Sequence, residues 1–268
     1  MEAPAGTILP PAASVPPPAL TILPPAPPIG APAGYFIIFN FCPFCLFLRQ
    51  MLPDDTRSKI KNITAGAIIE GSQDHCTATR NLLCASFPTS TTVKKDFESK
   101  ALIKEKQAKL LEQYSSEKNL WVTDLPGQDR YLTRGGEALV YLSSDNKSVI
   151  KLNDGIYYAT WLEFLNSILL HNLIFENTAY TLLGFAKENN VLYAVLKQPF
   201  ITSDSPVDLE DVKKLLHFND FENSKRNDYI HRELGLLLED MHDENVIASS
   251  DTLFFIDTVF YTVTPGNS

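Results

Sequence analysis

Cysteine is scarce in this 268-residue chain: Cys42, Cys45, Cys76 and Cys84 are the whole complement, and all lie before position 90. The second half therefore offers no thiol for a disulfide, a zinc–thiolate site or a cysteine nucleophile. In the first half Cys42 and Cys45 have C-x-x-C spacing, yet no βαβ pattern surrounds them and no second C-x-x-C pair follows. Apolar free thiols are the expectation for all four. Basic side chains are also in short supply, with 23 Lys+Arg against 32 Asp+Glu and a formal net charge of −9. Residues 119–268 carry 11 of the basic and 22 of the acidic groups, about −11, which leaves the first 118 residues at 12 against 10, or +2. A surface so acidic argues against binding nucleic-acid phosphates, so no nucleic-acid partner is expected. It is compatible with a site for divalent cations. Long apolar runs are missing too. Tyr35–Leu52 comes nearest, but Asn40, Pro43, Arg49 and Gln50 interrupt it, and it barely reaches the ~18–20 residues of a spanning helix. It lacks the basic flank, the position and the small-residue cleavage site of a signal peptide. Two readings stay open: a locally packed segment in a cytoplasmic protein, or a membrane anchor whose following residues, from Arg49, Arg57, Lys59 and Lys61, would face the cytoplasm. The first is favoured, and with it little contact between residues 35–52 and a membrane.

Residues 1–34 hold 11 of the 18 prolines, and Thr7-Ile8-Leu9-Pro10-Pro11 recurs as Thr21-Ile22-Leu23-Pro24-Pro25. Proline fixes φ and removes a backbone donor, so a disordered, Pro/Ala-rich and PPII-like arm is expected there. Residues 35–93 read as the apolar stretch followed by a poorly defined linker, mostly loop with one helix at most. In residues 94–118, Phe97, Leu102, Ile103, Leu110 and Leu111 recur at helical intervals among Lys and Glu, which predicts an amphipathic helix. Trp121 and Val122 mark the entry to a domain spanning 119–265.

That domain begins with strands. Tyr131–Leu142 alternates around Gly135-Gly136-Glu137, Asp145-Asn146 supplies a turn, and Ser148–Leu152 returns with Lys151 in its middle. Thr160–His171 reads as a helix with a single acidic side chain, Glu163, the natural partner to orient Lys151. Tyr180–Ala186 and Val191–Leu196 form a second hairpin through Asn189-Asn190, and Gln198-Pro199-Phe200 ends it as a hinge where a base could meet backbone groups. Asp208–Leu216 and Tyr229–Leu238 are expected as helices, the second delivering Asp240 onto a loop.

Asp240 and Asn245 are five residues apart, and Asp257 follows an apolar run, Phe254-Phe255-Ile256. In phosphoryl transfer this order lets one Asp hold an acceptor hydroxyl, while the Asn and the second Asp hold Mg²⁺ on nucleotide phosphates. Mg²⁺ suits such a sparse oxygen set because it keeps several waters. Taken singly, each residue has an ordinary explanation: a turn glycine, a solvated strand lysine, a surface glutamate, acidic turns. Their joint order carries the case.

The runs Gly135-Gly136-Glu137, Val140-Tyr141, Val149-Ile150-Lys151-Leu152, His171-Asn172, Gly184-Phe185, Gln198-Pro199-Phe200, Glu239–Val246 and Phe255-Ile256-Asp257 resemble the kinase-like domain of polyvalent proteins from bacterial mobile elements and phages. A more distant similarity joins protein kinases and aminoglycoside phosphotransferases. The resemblance implies an α+β, protein-kinase-like fold with an antiparallel-sheet N-lobe and a reduced helical C-lobe. It implies ATP and Mg²⁺ as cofactors and transfer of the γ-phosphoryl group to a hydroxyl acceptor, protein or small molecule. Asp240, Lys151 and Glu163 would be catalytic, Gly135, Gly136, Lys151 and Gln198 would bind nucleotide, and Asn245 and Asp257 would bind metal. Departures are visible: two glycines in the loop rather than three, Leu238-Glu239 before Asp240, Thr258 after Asp257, and 11 residues beyond it. These leave a second reading, a pseudokinase-like module that binds nucleotide or a partner without transfer.

Overall fold

The computed structural model describes residues 52–71, 74–87, 97–136 and 138–263. The chain divides into two units, Met1–Ala33 and Gly34–Ser268, and the described residues all belong to the second. The proline-rich arm, most of the Tyr35–Leu52 stretch and the Cys42/Cys45 pair lie outside them. Among the described residues no helix is long and apolar enough to cross a membrane.

Two helices, α1 (Asp54–Thr64) and α2 (His75–Ser86), occupy the region expected to be linker. Asp74 caps α2 by accepting from Thr77 N–H at 2.9 Å. Ile60, Ile63, Cys76, Leu83 and Cys84 join one apolar core with the later helices and strands. Cys76 and Cys84 are buried free thiols, as expected, and burial pushes the Cys76 thiol far above its ordinary range. Arg80 explains why the pattern was hard to read: it is 0 % exposed, donating to Asn166 at 2.9 Å and to the Ala67 carbonyl. A charge in the core breaks the hydrophobic periodicity while remaining satisfied.

Helix α3 (Phe97–Lys118) lies where a helix is expected, but its apolar face is not the expected one: Leu102 is exposed, and Gln107 and Ser115 are buried beside Leu111. Its Gln107 side chain accepts from Leu162 N–H at 3.1 Å, and Lys104 holds the carbonyls of Gly155 and Tyr158. Beyond it, Val122 N–H donates to the Phe185 carbonyl and Phe185 N–H to the Leu120 carbonyl, both at 2.8 Å. That close approach requires glycine at 184. Its φ is +150°, and a Cβ would meet the Leu120 carbonyl oxygen at 2.0 Å.

The N-lobe sheet contains β1 (Tyr131–Arg134), β2 (Ala138–Leu142), β3 (Ser148–Asn153), β4 (Thr181–Glu188) and β5 (Val191–Pro199). All neighbours are antiparallel, in the order β1-β2-β3-β5-β4. Asn189 and Asn190 both take positive φ at the β4–β5 turn, as a two-residue hairpin with right-handed strand twist demands. Helix α4 (Trp161–Ile174) lies between β3 and β4 in sequence and packs its apolar side into the core.

The segment after Pro199 departs from expectation. Among the described residues it holds one α-helix, α5 (Leu209–Phe218), and six short strands, not a reduced helical lobe. The strands are β6 (Glu222–Lys225), β7 (Asp228–His231), β8 (Leu236–Glu239), β9 (Val246–Ser249), β10 (Thr252–Phe255) and β11 (Val259–Thr262). They form a four-stranded sheet, β11-β8-β7-β6, and a β9–β10 hairpin. Tyr229–Leu238, expected as a helix, is β7, a turn and β8. Gly235 at φ +62° turns the chain, and β11 pairs with β8 to bury Leu236 and Leu238. Tertiary pairing overrides the helix propensity of the leucines.

Candidate functional site

Strand register assembles the site. Glu239 of β8 is opposite Val259 of β11, and because the pair is antiparallel, Asp240 and Asp257 emerge at the same end. In the β9–β10 hairpin Val246 is opposite Phe255, so Asn245 and Ile256 also meet, with Ile256 N–H donating to the Asn245 carbonyl at 3.0 Å. Three chain segments thus converge, none of them α-helical; Asn245 ends a single 3₁₀ turn, Asp243–Asn245.

The loop 240–245 is bound to itself. Asp240 takes φ +62°, and its carbonyl accepts from Asn245 Nδ2 at 2.8 Å and from His242 N–H at 3.0 Å. Asn245 therefore spends an amide hydrogen on the loop and keeps its Oδ1 as an acceptor for a cation. The His242 ring accepts from Glu244 N–H at Nδ1, 3.2 Å, and its Nε2 lies 3.2 Å from Asn245 Nδ2 and 3.3 Å from Asp240 Oδ2. His242, between the key positions in sequence, thus touches both Asp240 and Asn245 and steadies the loop that carries them. Beside them, burial and the neighbouring Asp228 and Asp240 raise the Glu239 carboxyl above its ordinary pKa.

Lys151 comes from the opposite lobe, on β3, 7 % exposed. Its ammonium donates to the Ile256 carbonyl at 2.9 Å and to the Tyr180 hydroxyl at 3.4 Å, and lies 4.0 Å from Asp257 Oδ1. The expected partner Glu163 is elsewhere. Glu163 N–H donates to the Thr160 hydroxyl at 3.1 Å, and its carboxylate accepts from Ala159 N–H at 3.0 Å and stands 3.8 Å from Lys100. Thr160 thus caps α4 and Glu163 reaches back to the N–H of the residue before the cap, a one-residue variant of the capping box that Thr160-x-x-Glu163 signals. The correction has a plain cause: a carboxylate in the first turn is drawn to free backbone N–H groups and the helix dipole.

Gly135, Gly136, Lys151, Gln198, Asp240, Asn245 and Asp257 line one cleft of about 910 Å³, together with Arg134, Tyr157, Phe200 and His242. That volume lies at the upper end of ordinary ligand sites. Gly135 N–H closes the β1–β2 turn onto the Ala138 carbonyl at 3.0 Å, and Gly136 leaves room for the Tyr157 ring, which a Cβ would meet at 3.1 Å. Gln198 is buried, and its amide nitrogen donates to the Thr178 carbonyl at 2.8 Å. Its side chain braces the hinge, so a contact to a base would come from backbone.

One buried titratable group touches this assembly from behind. His171 of α4 is 0 % exposed, with Nδ1 2.7 Å from the Thr258 hydroxyl and Nε2 3.0 Å from the Thr178 carbonyl. Burial lowers its pKa to about 3, so it is neutral. The carbonyl demands a proton on Nε2, and Nδ1 then accepts from Thr258.

Among the described residues no group of three or more His, Cys, Asp or Glu side chains could hold a metal alone. Asn245 Oδ1 and the Asp257 carboxylate offer two hard oxygens, a set that fits Mg²⁺ sharing its shell with phosphates and water. A sheet lobe carrying a lysine, a glycine turn beside the cleft and the Asp240, Asn245 and Asp257 side chains thus line one cleft. A family model described as Serine/Threonine/Tyrosine Kinase found in polyvalent proteins matches residues 104–264, and the chain belongs to this family. Comparison with curated proteins yields no match.

Proposed function

We propose that the cleft takes ATP with Mg²⁺ and transfers the γ-phosphoryl group to a hydroxyl acceptor. The observation that carries this reading is the meeting, in one cleft, of Lys151 from β3 with Asp240, Asn245 and Asp257 from the other lobe. Lys151 neutralises phosphate oxygens. Its present interactions with the Ile256 carbonyl and Asp257 hold the ammonium at the cleft wall. Gly135 and Gly136 let the β1–β2 turn approach the phosphates with no side chain of their own, the Tyr157 ring lying against Gly136. Asp257 and Asn245 Oδ1 would hold Mg²⁺, which supplies charge neutralisation on the phosphates. Asp240, whose carboxylate stands 3.3 Å from the His242 ring, accepts the hydrogen of the attacking hydroxyl and aims its oxygen. Positioning and electrostatics are most of what this chemistry asks of a protein.

A second reading is a pseudokinase-like module that binds nucleotide without transfer. It is favoured by the capping role of Glu163, which leaves Lys151 with no acidic partner from α4. Incubating the full-length chain with γ-labelled ATP and Mg²⁺ across protein and small-molecule hydroxyl acceptors separates the two. Label transfer that Asp240→Asn abolishes, with nucleotide binding retained, supports the kinase. Binding without transfer to any acceptor supports the module.

A further inference from the structure

The chain leading into β11 is fastened from behind at alternate residues. The Ile256 carbonyl accepts from Lys151 Nζ at 2.9 Å and from the Tyr180 hydroxyl at 2.7 Å. Thr258 donates its hydroxyl hydrogen to His171 Nδ1 at 2.7 Å, and Phe260 N–H donates to Ser167 Oγ at 2.9 Å. Ser167 and His171 are four residues apart on α4 and share a face of the helix. Both are 0 % exposed in a helix otherwise rich in Leu, Ile and Phe. Buried polar side chains need partners, and each finds one on the segment that carries Asp257, the others being the Tyr158 hydroxyl at Ser167 Oγ, 3.1 Å, and the Thr178 carbonyl at His171 Nε2, 3.0 Å. Asn172, the next residue of α4, grips both backbone groups of Tyr180 at 2.7 Å and so steadies the hydroxyl that supports Ile256. Asp257 falls between the fastened residues 256 and 258, its side chain 57 % exposed at the cleft.

We infer that His171 is a positioning residue for the cation site: through Thr258, and with Ser167 through Phe260, it transmits the placement of α4 to Asp257. This does the work that an acidic α4 partner of Lys151 would otherwise do. The inference rests on the reading of the cleft as a nucleotide–Mg²⁺ site. The Asn245 side chain is held by the Asp240 carbonyl, and its backbone is tied to Ile256, on the far side of Asp257 from Thr258, so loss of the Thr258 contact displaces Asp257 and leaves the Asn245 amide in place.

Thr258→Val is nearly isosteric and removes the hydroxyl donor alone. In the full-length protein without nucleotide, amide exchange across residues 255–262 should quicken about tenfold in this variant, while β4–β5 exchange stays unchanged. Thr258→Ser should restore the protection. With ADP as probe, the Mg²⁺ concentration for half-maximal binding should rise about tenfold in Thr258→Val, while ADP affinity in EDTA stays within about twofold. Leu83→Ala, a destabilising change on α2, should lower the melting temperature without moving the Mg²⁺ requirement. Unchanged exchange in Thr258→Val overturns the inference whatever the nucleotide does. Faster exchange with an unmoved Mg²⁺ requirement overturns the positioning role and leaves a packing contact. Failure of the wild-type chain to bind ADP at all sinks the kinase reading instead, and the exchange measurement still decides whether α4 holds the Asp257 segment.

Discussion

Lys151 and Asp257 stand 4.0 Å apart across the interlobe cleft, and the same lysine donates to the carbonyl of the residue before the aspartate. The lysine is nearly buried, whereas the aspartate faces the cleft with 57 % of its side chain exposed. A cation and an anion of the protein are thus held at one point by the β3 strand and the turn before β11. Nucleotide phosphates bridged by Mg²⁺ would insert between groups of opposite sign and be attracted by both.

Asp257→Asn keeps the shape of the side chain and removes its charge. The Ile256 carbonyl and Tyr180 hydroxyl still hold Lys151, so the fold should survive with a melting temperature within a few degrees of the parent. Mg²⁺-dependent nucleotide affinity should fall by about tenfold or more, the effect of losing one charged ligand or hydrogen-bond partner. Calorimetric titration at matched free Mg²⁺ measures it.

Glu163→Ala should act on stability and not on nucleotide affinity. The carboxylate satisfies Ala159 N–H at the start of α4, and loss of such a cap costs about 1 kcal/mol. Chemical denaturation should register that loss, while ADP affinity changes by less than about twofold. A large loss of affinity with unchanged stability would mean that Glu163 serves Lys151 after all.

Gly184→Ala should be among the most damaging single substitutions in the chain. The new methyl would meet the Leu120 carbonyl oxygen at 2.0 Å, at a backbone φ of +150° that side chains avoid. The two hydrogen bonds that dock residues 120–122 onto β4 would have to break. A loss of about 3 kcal/mol or more is expected, read as a drop in the denaturation midpoint.

Acid should destabilise the fold before the carboxylates titrate. His171 ordinarily titrates near 6.5, but burial holds its folded pKa at about 3. Between those values the unfolded chain binds a proton that the folded chain refuses. Stability is therefore full above the unfolded value and lost as pH falls through the window, by at most about 1.4 kcal/mol per pH unit from this group. His231, also lowered by burial, adds with the same sign. The raised Glu239 carboxyl works oppositely, since the folded state then holds its proton more firmly. Unfolding midpoints between pH 7 and pH 5 should fall in the parent and fall less in a stable His171 variant.

Much of the N-lobe was legible because local chemistry and tertiary pairing agree there. Gly135-Gly136 turns β1 into β2, Asn189-Asn190 turns β4 into β5, and the strand and α4 boundaries fall close to the expected residues. The D-x-x-x-x-N spacing was legible as chemistry, yet the elements delivering it were not. Leu236–Leu238 form a strand because β11 covers them, and β11 lies more than twenty residues downstream. Helix α2 was obscured by Arg80, whose burial is compensated by an α4 side chain and a loop carbonyl. Glu163 was misassigned because an acidic residue on α4 fits both a cap and a lysine partner, and only the folded geometry ranks them. The His171–Thr258 contact spans 87 residues and no local pattern announces it.

Nucleotide binding by the full-length chain, titrated by calorimetry with a non-hydrolysable ATP analogue in Mg²⁺ and again in EDTA, tests the central claim most directly. The cleft should bind one analogue per chain in Mg²⁺, weaken at least about tenfold in EDTA, and lose that difference in Asp257→Asn. Absence of binding in Mg²⁺, or equal affinity in Mg²⁺ and EDTA, would contradict the account.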